Sequence, residues 1–172
     1  MHRLFPWQRA SHEDRRALRT DYAGAVYGSL LAASVIAAAS SVGEFPRLET
    51  VVLLLVTGLV FWAVHVYARL TGERTVGRSI TWSETWRIGR SEWSMVEAAV
   101  LPSAVVALSP VLGLSLTATG WTALLVAVAQ QVTWSYFGAL HASGSRRRGA
   151  TEAAVNLVFG LIIVAAKSLL GH

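Results

Sequence analysis

Five apolar runs of about 20 residues each, joined by short connections that hold nearly all the charge, leave this chain few ways to fold. They fall at residues 22–42, 50–70, 95–114, 121–140 and 152–170. A helix of about 20 residues rises about 30 Å, the thickness of a bilayer's hydrocarbon core. Inside lipid the backbone has no water to bond, so only helices and closed barrels can cross, and these runs are twice as long as a membrane strand needs. The expected fold is therefore all-α. It is a polytopic transmembrane helical bundle over residues 22–172, preceded by a basic tail at 1–21, with the lipid bilayer as its principal partner. The composition agrees: 53% of the 172 residues are hydrophobic and only 15% are charged, which is more apolar surface than a soluble domain of this length usually carries.

Orientation follows from the basic residues. Arg3, Arg9, Arg15, Arg16 and Arg19 precede the first run. Arg69, Arg74, Arg78, Arg87 and Arg90 lie around the second connection, and Arg146, Arg147 and Arg148 form the fourth. These alternate segments hold thirteen of the fifteen Lys and Arg residues, so the positive-inside rule places residues 1–21, 71–93 and 142–150 in the cytoplasm. The amino terminus is then in, the carboxyl terminus out, and the site a cell inner (cytoplasmic) membrane. The net charge of +5 serves this orientation and requires no nucleic acid. A signal peptide is the rival interpretation of the first run, with Ala37-Ala38-Ala39 as a cleavage site, but the apolar stretch exceeds a signal core of about 7–15 residues.

Several chemistries are excluded or unsupported. There is no Cys, which rules out disulfides, thiolate metal sites and cysteine nucleophiles. No nucleotide-binding glycine loop, His-Glu-x-x-His or Gly-x-Ser-x-Gly occurs, so neither a cofactor nor a metal is expected, and no catalytic residue is assigned.

What remains is polar residues within the runs, where each needs a protein or water partner. His65, Glu97 and Asn156 sit about one turn inside the basic boundary; Gln130 and Gln131 lie deeper. Together they suggest a polar cavity or proton relay in the cytoplasmic half, with Glu97 and His65 exchanging a proton and the amides binding water or substrate. The alternative is structural, each group bonding a neighbouring helix. Lys167 is expected to snorkel to the outer interface. Trp7, Trp82, Trp86, Trp93 and Trp121 suit an aromatic belt, while Trp62 and Trp134 lie deeper, where they could line a cavity but better suit core packing or lipid contact. Pro102 is expected to kink the third span, and Thr81-Trp82-Ser83-Glu84 fits a capping box that starts a helix. Gly24, Gly28 and Ala32 make a small-residue face for close helix approach, in a homo-oligomer or within one chain.

Val26-Tyr27-Gly28, the run Phe61-Trp62-Ala63-Val64-His65-Val66-Tyr67-Ala68 and Glu97-Ala98-Ala99-Val100-Leu101-Pro102 together resemble small actinobacterial integral membrane proteins of no assigned activity. The resemblance implies about five spans and carries over no site residue. The functions left open are a channel or transporter with a protonatable cavity, an assembly or regulatory subunit, and, third, an enzyme acting on lipid, for which one His and one Glu are slight grounds.

Overall fold

The structure, a computed structural model, describes residues 6–39, 46–72 and 81–170, with side chains from Tyr22 to Leu169. Six helices make up this part: α1 (Pro6–Ala38), α2 (Pro46–Gly72), α3 (Trp82–Ser91), α4 (Ser94–Leu108), α5 (Leu116–Ser143) and α6 (Arg146–Leu170). No strand occurs among the described residues. α2, α5 and α6 are each long and apolar enough to cross a membrane, and α3 with α4 form a fourth candidate, bent by 42° at the break between them. The apolar part of α1, Tyr22–Ala38, is shorter, and residues 40–42 of the expected first run lie outside the described residues. Ahead of it, residues 6–21 of the basic tail continue the same helix.

Composition explains how the helices are arranged. α1 is rich in Ala, Gly and Ser, whose small side chains let neighbouring backbones approach, and it packs against α2, α4, α5 and α6. Gly28 shows the limit: a Cβ there would stand 2.4 Å from the Met95 carbonyl oxygen of α4. Gly24, Gly28 and Ala32 are all buried, so the face suggested for a homo-oligomer is filled within the chain. The Leu- and Val-rich helices take the outside. The most apolar stretches of α2 and α6 have mean hydropathies of 2.2 and 1.8 but are only 11% buried, against 1.3 and 33% for α5. Apolarity rising toward the surface is the inverse of a water-soluble protein, and lipid is the surrounding it fits.

Side-chain bonds tie each end of the bundle. At one end, Arg47 Nε donates to Ser109 Oγ at 2.9 Å and its Nη2 to the Leu114 carbonyl at 2.7 Å, bracing the turn after α4. Beside it, Lys167 Nζ donates to the Ile36 carbonyl at 2.9 Å, satisfying an acceptor in the last turn of α1. Lys167 thus caps a helix, a closer engagement than the snorkelling expected of it. At the other end, where the basic residues gather, Arg69 of α2 meets Glu92 and Tyr22 of α1 stacks on His141 of α5 at 5.4 Å. Between α5 and α6 only Gly144 and Ser145 intervene, Gly144 taking the left-handed conformation (φ 64°) that closes α5.

The third run departs from its expected form. α4 continues through Pro102 without a break, and the bend lies earlier, at Glu92 and Trp93. A proline deprives the carbonyl four residues before it of a donor. Here that carbonyl belongs to Ala98, and Gln130 Nε2 of α5 donates to it at 3.2 Å. The bend has no proline or glycine of its own. It is held from α2, where Arg69 binds Glu92 and Trp62 packs edge-on against Trp93 at 5.4 Å. Pro110 falls just beyond the end of α4. The helix foreseen at Trp82 does begin there, but Thr81 makes no side-chain cap; its hydroxyl lies 3.1 Å from Ser83 Oγ instead.

Candidate ligand cavity

A cavity of about 720 Å³ opens in the half of the bundle that carries the basic residues. α3 and the bend give it one wall, with Trp86, Gly89, Arg90 and Trp93; Ser94, Glu97 and Ala98 of α4 give another. Trp62, Gln130, Trp134 and Tyr22 close the remainder. Its size lies in the range of small-molecule sites.

Each wall has a local cause. α3 buries Ile88 and Gly89 and leaves Trp82 and Trp86 exposed, as an amphipathic helix at a membrane interface does. Trp62 Nε1 donates to the Gly89 carbonyl at 2.8 Å, fixing α3 to α2. Tyr22 and Trp134 lean together at 5.7 Å. Of the roles open to Trp62 and Trp134 from the sequence, the less favoured one, lining a cavity, is the one in which both are found.

Three acceptor groups in the lining lack partners, as does the guanidinium of Arg90 among the described residues. Glu97 makes no hydrogen bond or ion pair among the described residues, and it is exposed on the α4 face that also carries Leu101 and Leu108. It stands where the cavity meets the outside of the bundle. Ser94 Oγ and Gln130 Oε1 are buried with no protein partner. The identity of the free Gln130 atom follows from chemistry: the Ala98 carbonyl accepts only from a donor, so the amide nitrogen must face it and the oxygen is left over.

The five polar residues singled out in the sequence separate into three groups. Glu97 and Gln130 belong to the cavity. His65 is not in its lining; the His65 Nε2 lies 3.8 Å from Glu92 Oε2, in a cluster with Arg69. Gln131 and Asn156 join α5 to α6, Gln131 Nε2 donating to Asn156 Oδ1 at 3.1 Å, and Asn156 Nδ2 donating to the Glu152 carbonyl at 3.0 Å. Gln131 is fully buried, and its Oε1 has no protein partner.

Glu92 is the residue that sequence reasoning missed. It lies in what reads as the end of a loop, yet its side chain is only 3% exposed. Its charge sits against Arg69, whose side chain is itself more than a third exposed. A buried carboxylate needs such a partner, since leaving one alone costs several kcal/mol (about 3–5). In the sequence Arg69 stands at the end of the second run and Glu92 just before the third, but their spacing does not encode that they meet. No group of His, Asp and Glu that could hold a metal occurs among the described residues.

Toward the other end the bundle is closed by apolar packing. Ala32, Ala33, Ile36, Leu54, Val106, Ala123, Leu124, Ala127 and Val128 form one buried cluster there. No family model, curated protein or solved structure matches this chain.

Proposed function

We propose that the chain is a small five-span protein of the inner (cytoplasmic) membrane, with amino terminus in and carboxyl terminus out, that binds a ligand in the Glu97 cavity and carries it as a small transporter. The observation that carries this is the unpartnered carboxylate of Glu97 in the lining of a 720 Å³ cavity. A carboxylate inside a bilayer without a cation or donor is costly, and ionisable groups in that position are functional candidates. α1 counts as the fifth span because its Tyr22–Ala38 stretch is surrounded by the helices that are long enough to cross. Arg69, Arg87, Arg90, Arg146, Arg147 and Arg148 lie at the cavity's end and belong to the segments that hold thirteen of the fifteen basic residues, which supports a mouth on the cytoplasmic side. Glu97 is the protonatable group of the cavity, while His65 acts with Arg69 and Glu92 in holding the bend, and Gln131 with Asn156 in holding α6. The resemblance to small actinobacterial membrane proteins supports the span number and adds no activity.

One observation favours a second function, that of an assembly or regulatory subunit without transport. The apolar cluster at the far end, from Ala33 to Val128, leaves the cavity one-sided. Proteoliposomes loaded with a pH-sensitive dye separate the two. A carrier gives protein-dependent proton movement that is lost in Glu97→Gln with expression and helicity intact. No difference from empty liposomes favours the regulatory subunit.

A further inference from the structure

We infer that the cavity takes an organic ammonium ion that bears N–H bonds on an apolar body. This rests on the cavity being a ligand site and adds the class of ligand. The inference starts from what the lining lacks. Glu97 and Gln130 Oε1 can only accept, the first as an ionised carboxylate and the second because the amide nitrogen is committed to Ala98. Ser94 Oγ, also without a partner, can accept too. A group that donates several hydrogen bonds and carries positive charge satisfies all three at once.

The walls point the same way. Trp62, Trp86, Trp93, Trp134 and Tyr22 contribute aromatic rings, whose electron-rich faces attract cations. Their bulk also gives an apolar body somewhere to lie. Glu97 shares its α4 face with Leu101 and Leu108, which are 52% and 57% exposed, so an amphiphile could enter along the bundle's outer surface with its apolar part still in lipid. Arg90, the cation in the lining, stands exposed on α3. It suits the phosphate of a zwitterionic headgroup. The shared chemistry is thus a primary-amine-like ammonium, supplied either by a free lipophilic amine or by an aminophospholipid headgroup.

Calorimetric titration of the protein in phosphatidylcholine nanodiscs tests this with phenethylammonium, its uncharged counterpart phenethyl alcohol, and trimethyl(phenethyl)ammonium, which has charge but no N–H. The expected order is phenethylammonium tightest, and each of the others weaker by about tenfold or more, the loss of one charge-assisted hydrogen bond. Glu97→Gln should weaken phenethylammonium by a similar factor and leave the alcohol unchanged. Adding phosphatidylethanolamine to the nanodiscs identifies the source: competition assigns the site to the headgroup amine, and an unchanged affinity assigns it to a free amine. Equal binding of amine and alcohol, equal binding of the trimethyl compound, or full affinity in the variant would overturn the inference. So would the failure of all three to bind, while the Glu97-dependent proton flux proposed above would stand or fall separately. Should the variant not fold, the selectivity of the unmodified protein among the three probes decides alone.

Discussion

Gln130 shows how one side chain can reconcile a helix breaker with a continuous helix. Its amide donates to the Ala98 carbonyl that Pro102 leaves without a partner, and α4 then runs unbroken from Ser94 to Leu108. Replacing Gln130 by Leu should destabilise the fold by about 1–2 kcal/mol, between the modest value of hydrogen bonds within membranes and the cost of an orphaned buried acceptor. Pro102→Ala returns an N–H to the helix, so the same Gln130→Leu change should cost less in that background. Reversible unfolding in mixed micelles of all four combinations gives the coupling; additive effects would show that the two residues do not share the carbonyl. The sequence made Gln130 visible as a polar residue in mid-span, but not this partnership. Pro102 and Gln130 are on different helices, and their meeting depends on a register between α4 and α5 that no spacing along the chain encodes. Glu97 was legible for the opposite reason: a carboxylate in an apolar run stands out by itself. Glu92 was not, because a charge beside a loop is unremarkable until Arg69 is seen facing it.

α3 and α4 meet at the bend that shapes the cavity, and α2 governs that bend through Arg69 and Trp62. Removing the guanidinium leaves buried Glu92 with His65, at 3.8 Å, as its remaining basic partner among the described residues. Arg69→Ala should cost about 2–3 kcal/mol, below the range for fully buried pairs because Arg69 is 37% exposed. The effect should be local. Hydrogen exchange in α3 should accelerate strongly while α5 and α6 keep their protection, and a uniform rise across all helices would contradict a role confined to the bend. The helices themselves were largely legible, since apolar length alone marks where they run. Their ends and bends were less so. α2, α5 and α6 each extend past the apolar runs into charged or polar residues, because a helix stops at its caps and not at the edge of its hydrophobic stretch. Ser115 illustrates this, its hydroxyl accepting from the Ala118 N–H at 3.1 Å to start α5 ahead of the run.

The whole molecule places its small-residue helix at the centre and its most apolar helices outside, with an aromatic cavity at the basic end and a packed apolar cluster at the other. That asymmetry was only half legible. Basic loops announced a polarised protein, and the small residues of α1 announced close packing, but whether Gly24 and Gly28 met another copy or α4 depended on contacts distant in sequence. Glu97 was foreseen as a cavity residue beside His65; the bend instead gives His65 to Glu92 and gives Glu97 to the aromatic walls. The central claim is that Glu97 lines a cavity entered from the cytoplasmic side. Because the chain has no native Cys, Glu97→Cys supplies a single thiol, and labelling by a membrane-impermeant maleimide can be compared in inside-out and right-side-out vesicles. Labelling in inside-out vesicles alone is the result expected. Labelling from the outer face, or from neither face in folded protein, would contradict it.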